Sequence, residues 1–226
     1  MFQNPEYREV TADAIPPKAV LAVARSRDPK GPTGFSLHAT DVAAAREVLQ
    51  ALPPGPAYFH MTAEWPFALL EPRCSEPSFR PAWLFALDAK DFVDRQTHEG
   101  APVTPEWSAK VAKLWEPEWS SEPYVRGRIE AGPSFGVYID GELVAWDMTH
   151  FETDRVVMMG FLHVVEGHRG KGYAKSAGSA LVREILRRGK IPVCHVYADN
   201  VPSLELTAGL GFHRVTRQVW ADAVLR

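Results

Sequence analysis

In His163-Val164-Val165-Glu166-Gly167-His168-Arg169-Gly170-Lys171-Gly172-Tyr173-Ala174, a β-branched run breaks into a glycine-rich turn that opens directly into a helix. A strand, a tight loop and a helix N-terminus in that order form an anion site. Gly170 and Gly172 can take positive φ and let the backbone approach a ligand closely. The unpaired N–H groups of the helix's first turn, at the positive end of its dipole, then face the bound group. Arg169 and Lys171 add cationic charge at the same spot, and a pyrophosphate has enough charge and acceptor oxygens to use both side chains and several amides.

Spacing narrows the ligand. The dinucleotide pattern G-x-G-x-x-G/A fails because Ala174 follows Gly170-x-Gly172 one position too early, and no acidic residue ends a following strand. The P-loop pattern fails because no Gly-Lys-Ser/Thr follows a four-residue gap.

Around this loop the periodicity predicts an ordered series. Residues 135–139 and 143–149 read as strands flanking Asp140-Gly141, a dipeptide suited to the φ > 0 positions of a hairpin turn. Residues 156–165 form the third strand and feed the loop. The helix at about 172–188 sets Ala174, Ala177, Leu181 and Ile185 on one face and stops at Gly189. A strand at 192–197 follows, then Asp199-Asn200-Val201-Pro202-Ser203 opens a short helix that stops near Gly209 and Gly211, and 212–219 closes the sheet. Upstream, Thr104-Pro105-Glu106 starts a capped helix to about Trp115, and 122–131 is a second helix stopped by Gly132-Pro133.

The first hundred residues are less regular and hold many of the chain's 19 prolines. Turns are predicted at 28–32 and 52–56. Thr40-Asp41 caps a helix with apolar positions Val42, Ala45, Val48 and Leu49, and 57–61 and 83–87 read as strands. The division is therefore a small N-terminal α/β domain at 1–102 and a second domain at 103–226. His60, Trp65 and Cys74 are read as packing and loop-anchoring residues.

Composition bounds the function. The 226 residues, 46% hydrophobic and 23% charged, are those of an ordinary globular protein. A net charge of −3 argues against nucleic-acid or anionic-membrane partners. No apolar run reaches the roughly 20 residues that span a bilayer, and residues 1–10 are polar rather than a signal peptide. Cys74 and Cys194 lie far apart without metal-ligand spacing, which predicts reduced thiols in a cytoplasmic protein with no metal.

Arg169-Gly170-Lys171-Gly172-Tyr173-Ala174 resembles the R/Q-x-x-G-x-G/A signature of the GNAT acyltransferases. The order of hairpin, long strand, glycine loop, helix, strand, Asp199-Asn200-x-Pro202-Ser203-Leu204 and Gly211-Phe212 resembles the whole GNAT core over about 103–226. Leu143-Val144-Ala145-Trp146, His195-Val196 and the D-N-x-x-S segment are most similar to the glycine N-acyltransferase-like branch. The resemblance implies an α/β (α+β) fold with a mixed central sheet and splayed central strands, and an N-terminal half that is a small α/β unit or a degenerate GNAT-like half. It implies acetyl-CoA or another acyl-CoA as co-substrate, its pyrophosphate on Arg169, Gly170, Lys171, Gly172, Tyr173 and Ala174. Its pantetheine would lie along Val164 and Val165 like an added strand, with Asn200 and Ser203 across the splay. For Asn200 and Ser203 helix capping is the competing reading.

Acyl transfer to an amine needs a proton acceptor. The position of a glutamate base in several GNAT relatives holds Met158, and that of a tyrosine acid holds Thr207. His195, His163 and Asp147 are the replacements, His195 first because its His-Val context matches the nearest branch and a histidine titrates near neutrality. The expected activity is direct acyl transfer to a primary amine of a small molecule or amino acid, by a protein for which a homodimer is compatible. The competing readings are a non-catalytic coenzyme-A-binding regulatory module and a protein-modifying acetyltransferase with an N-terminal interaction domain.

Overall fold

A computed structural model describes residues 9–24, 32–117 and 120–226. The turn expected at 28–32 lies, except for Pro32, outside the described residues, as do residues 1–8 of the polar N-terminal segment. The chain forms two compact units, one of Met1–Leu84, Tyr197–Asp199 and Val215–Arg226, the other of Phe85–Val196 and Asn200–Arg214.

In the first unit, β1 (Glu9–Ala12), β2 (Ala19–Ala24) and β3 (Thr33–Ala39) form an antiparallel series. Helix α1 (Val42–Gln50) then leads to β4 (Gly55–Met61), which lies parallel to β3. The predicted cap is present: the Asp41 carboxylate accepts from the Ala44 N–H at 2.9 Å. Ala44, Ala45, Val48 and Leu49 face a core with Leu21, Leu37 and Phe59. After α2 (Phe67–Leu70), β5 (Cys74–Ala86) carries the chain into the second unit, and the end of the last strand, β12 (His213–Leu225), returns to pair antiparallel with β4. Within this core Ser36 Oγ bonds His60 Nδ1 at 2.9 Å, and His60 Nε2 bonds Gln218 Oε1 at 3.0 Å. His60 is thus a satisfied core histidine, and burial lowers its pKa to about 4.

β1, β2 and β3 fall in the stretch whose sequence pattern is irregular. The Ala19–Ala24 run is half alanine and shows no alternation, and Gly34 and Ser36 dilute the next strand, so propensity and period are both weak there. Neither strand stands alone; each is formed by its neighbours' ladders.

In the second unit β6 (Ala101–Pro102), α3 (Ser108–Leu114), α4 (Glu122–Ala131), β7 (Ser134–Ile139) and β8 (Glu142–Glu152) come first. They are followed by β9 (Val156–Met159), β10 (His163–Val164), α5 (Tyr173–Arg187), β11 (Ile191–Tyr197) and α6 (Val201–Gly209). The strand order is β11-β9-β8-β7-β6, with β10 also on β8. Asp140 and Gly141 take φ of 51° and 82°, the mirror-image turn expected of that dipeptide. Thr104 makes no side-chain cap bond; Pro105–Trp107 forms a single 3-10 turn and the helix starts at Ser108.

The one long strand expected at 156–165 is two. Gly160 N donates to Met148 O at 3.0 Å and Val165 N to Val144 O at 2.9 Å, while His163 pairs with Trp146. Three residues from Gly160 to His163 oppose two from Met148 to Trp146, so one extra residue makes a bulge. The parallel pairing of β9 with β11 ends at Met159 and Cys194, and the two strands diverge beyond it.

Candidate functional site

The glycine loop has the predicted conformation. Gly167, Gly170 and Gly172 take φ of 81°, 78° and 83°. Gly172 is the N-cap of α5, and the first helical bond runs from Ser176 N to Gly172 O at 3.1 Å. The N–H groups of Tyr173, Ala174 and Lys175 precede that bond and point out of the helix end. Arg169 and Lys171 are exposed beside them. The Tyr173 side chain is 8% exposed and meets His98 edge-on at 4.6 Å, so the backbone is what this residue offers. The helix end is fixed from behind: Ser176 Oγ accepts from Thr97 N and His98 N, both at 3.1 Å.

At the splayed strand, alternation separates two residues that the sequence grouped together. Val165 donates to Val144 O and accepts from His168 N at 3.0 Å, so both its backbone groups are used. Val164, the residue before it, therefore turns its N–H and C=O away from β8. Its carbonyl accepts from Arg169 Nε at 3.4 Å. Of the expected pair, Val164 alone turns its backbone away from β8, with its carbonyl met, among the described residues, only by the Arg169 side chain. Asn200 Oδ1 accepts from Ser203 N at 3.2 Å, the capping arrangement.

The three base candidates lie on two faces of the sheet. Trp146 and Met148 pack with Val111, Trp115, Val125 and Ile129, which defines the α3/α4 face. His163 stacks on Trp146 at 4.9 Å and shares that face. Burial, with a smaller push from Arg169, lowers its pKa. Asp147, one residue along, points the other way, under α5, where a Cβ on Gly178 would lie 3.6 Å from Oδ2. It is 5% exposed, Oδ1 has no hydrogen-bond partner, and burial raises its pKa to about 7. Cys194 lies on this same side: burial first, then the Asp147 charge, pushes its thiol up to about 12, and Thr207 bonds it. Alternation along β11 then turns His195 to the α3/α4 face. The structure therefore brings His163 and His195 to one face and places Asp147 on the other, covered by α5.

A further histidine, His150, is not among the residues that the sequence pattern singles out. It lies where the β8–β9 ladder shifts register between Thr149 and Phe151, and its contacts put it on the α3/α4 face with Trp146 and Met148. Its Nδ1 bonds the Tyr124 hydroxyl of α4 at 2.9 Å, and its ring lies 4.5 Å from Phe161 and 5.6 Å from Trp115. Burial first, and the nearby Arg128 guanidinium second, lower its pKa to about 4. Parity could not have found it, because the ladder shifts register between Thr149 and Phe151, and the expected strand ends at residue 149. Among the described residues no group of three or more His, Cys, Asp or Glu could hold a metal ion. No helix among them is long and apolar enough to cross a membrane.

A bulged strand that diverges from its parallel neighbour and runs through a glycine loop into a helix defines the GNAT fold, and solved structures bear this out. A Drosophila protein is similar with a TM-score of 0.75 and 18% identity, over 91% of this chain and 74% of that one. A GCN5-related N-acetyltransferase from Kribbella flavida has a TM-score of 0.66 and 14% identity, over 97% and 90%. A GCN5-related N-acetyltransferase-like protein from Streptococcus suis has a TM-score of 0.63 and 15% identity, over 97% and 89%. Within that class, residues 135–221 match the family described as FR47-like protein. No curated protein matches the chain by sequence.

Proposed function

We propose that the protein is an acyl-CoA-dependent N-acyltransferase that moves an acyl group, acetyl in the simplest case, directly to a primary amine of a small molecule or amino acid. The observation that carries this reading is the glycine loop opening α5 beside the outward-facing backbone of Val164. Three left-handed glycines and three outward amides suit a pyrophosphate, and an unpaired strand edge suits the amide-containing pantetheine arm. Arg169 and Lys171 supply charge, and Asn200 lies at the start of α6 beyond the divergent end of β11. The co-substrate supplies an acyl thioester; the chain binds it, orients it and excludes water. The resemblance of Leu143-Val144-Ala145-Trp146 and His195-Val196 to the glycine N-acyltransferase-like branch supports an amino acid or similar small amine as acceptor.

The test is release of free thiol from acetyl-CoA and longer acyl-CoAs against a panel of amines and amino acids. Turnover with at least one acceptor is the expected result. A second reading rests on Met158 and Thr207, each 7% exposed, neither able to serve as base or acid at the surface of a site. It makes the chain a coenzyme-A-binding regulatory module, and tight coenzyme A binding without turnover across the panel would select it.

Arg169→Ala is expected to weaken coenzyme A about three- to tenfold in titration calorimetry. One exposed cation is lost, worth roughly 1 kcal/mol, while the loop amides stay in place. A loss beyond a hundredfold would move the main phosphate contact from the backbone to this side chain.

A further inference from the structure

We propose that His150 is the group that takes the proton from the attacking amine, with Tyr124 holding its ring in place. The inference rests on the acyltransferase reading above.

Four observations converge on this ring. First, His150, His163 and His195 share the α3/α4 face, whereas Asp147 is sealed under α5. Second, His150 lies against the bulge. A Cβ at Gly160 would overlap the Cδ2 and Nε2 edge of the His150 ring, so glycine is what lets the imidazole approach the strand there. That bulge is the point where β9 leaves β11 and where backbone amides change direction, a geometry suited to holding a thioester carbonyl. Third, the ring's two nitrogens are differentiated. Nδ1 is engaged by Tyr124 at 2.9 Å, which leaves Nε2, on the edge against Gly160, without a partner among the described residues. Fourth, the ring is oriented from several sides, by Phe161 at 4.5 Å, Trp115 at 5.6 Å and the Tyr124 hydroxyl. A base held in one rotamer and one tautomer needs little reorganisation when the proton arrives.

The other two histidines are less suited. His163 lies flat on the fully buried Trp146, and the register that pairs it with Trp146 directs its backbone to β8. His195 sits on β11, across the divergence from the bulge. The charged group facing His150 is Arg128 of α4, whose guanidinium donates to Thr149 O at 2.9 Å. It opposes a lasting positive charge on the imidazole, so the ring stays proton-free at neutral pH and does not keep the proton it takes.

The step balances without another reagent. An ammonium loses one proton to His150 Nε2 while Nδ1 keeps its bond to Tyr124, and Nε2 returns that proton to solvent once the products leave, which restores the starting tautomer. The neutral amine's lone pair forms the C–N bond at the thioester carbon. The C–S bond breaks with its electron pair going to sulfur, and the thiolate takes the second amine proton to leave as free thiol.

The test compares His150→Gln and Tyr124→Phe with the wild type on two acceptors, one an alkylamine protonated at the assay pH and one an amine already neutral there. His150→Gln should lower kcat/KM for the alkylamine by about a hundredfold, the low end of the usual range for a lost base. The loss for the neutral acceptor should be less than tenfold, and coenzyme A affinity should not change. Tyr124→Phe should give a smaller drop with the same acceptor dependence. A merely structural role would slow both acceptors equally. Equal losses, or His150→Gln retaining a third of the rate while His195→Ala or His163→Ala removes it, overturn the proposal. If His150→Gln does not fold, Tyr124→Phe carries the same acceptor comparison. Coenzyme A binding with no wild-type turnover on any acceptor removes the transferase reading, and this inference with it. Alkylamine turnover in His150→Gln within about threefold of the wild type removes this inference alone.

Discussion

Gly172→Val is expected to reduce coenzyme A affinity by a hundredfold or more while leaving most of the melting temperature intact. Gly172 combines a φ of 83°, the N-cap position of α5 and the amides that follow it. A β-branched residue in the left-handed region costs about 1–2 kcal/mol, and the structure relieves that cost by turning the loop and its amides out of line. The new Cβ would also lie 3.1 Å from Thr97 Oγ1, on the segment whose amides hold Ser176, so the helix end is disturbed from both sides. The ligand meets a misaligned cradle and a side chain where its oxygens should approach. Gly170→Ala separates these causes. Its φ is 78° and its Cβ would meet nothing within 4 Å, so it tests backbone strain alone and should cost about tenfold. Calorimetry showing wild-type affinity in Gly172→Val would remove the phosphate assignment altogether.

The glycine loop was legible because its signals are local and chemical. Glycines at left-handed positions, a following amphipathic helix and Gly189 at its end each follow from the residues present, and the helix falls at Tyr173–Arg187. The Asp140-Gly141 hairpin and the α4 helix were legible for the same reason. The bulge was not. Gly160 is the one residue of Val156 to Val165 that could mark a break, but the bulge itself comes from β8 offering two residues against three. With the bulge unseen, Val165 was paired with Val164 as a binding residue although its backbone is consumed by Val144 and His168. The face that each base candidate occupies was hidden likewise. Trp146 and Asp147 are neighbours in sequence and point to opposite sides of the sheet, and only the helices that cover each side decide which one is sealed. His150 was missed because its importance comes from Gly160 and Tyr124, ten residues one way and twenty-six the other.

Asp147 and two histidines should give the protein a stability profile in which opposing titrations can be pulled apart. His60 and His150 each have a folded pKa of about 4 against 6.5 for the free group. Between those values the unfolded chain binds more protons, so each makes stability rise with pH, by about 3 kcal/mol over the whole window at ~1.4 kcal/mol per unit. Asp147 acts in the opposite sense. Its pKa is raised from 3.8 to about 7, so the folded chain holds a proton that the unfolded chain has lost. Its contribution is complete below the unfolded value and falls by about 4 kcal/mol as pH rises through the folded one. Near pH 5–6.5 the slopes partly cancel; between 6.5 and 8 Asp147 acts alone and stability should decline. Asp147→Asn removes this group's slope without changing the side chain's size. Urea unfolding at pH 5 and pH 8 should then show the variant gaining about 3 kcal/mol on the wild type between the two values, whatever fixed offset the amide introduces. The comparison is made within each protein first, so a general destabilisation by the substitution drops out. Parallel profiles for the two proteins would mean that Asp147 keeps its charge beneath α5, and the orphaned Oδ1 would then need a partner drawn from solvent.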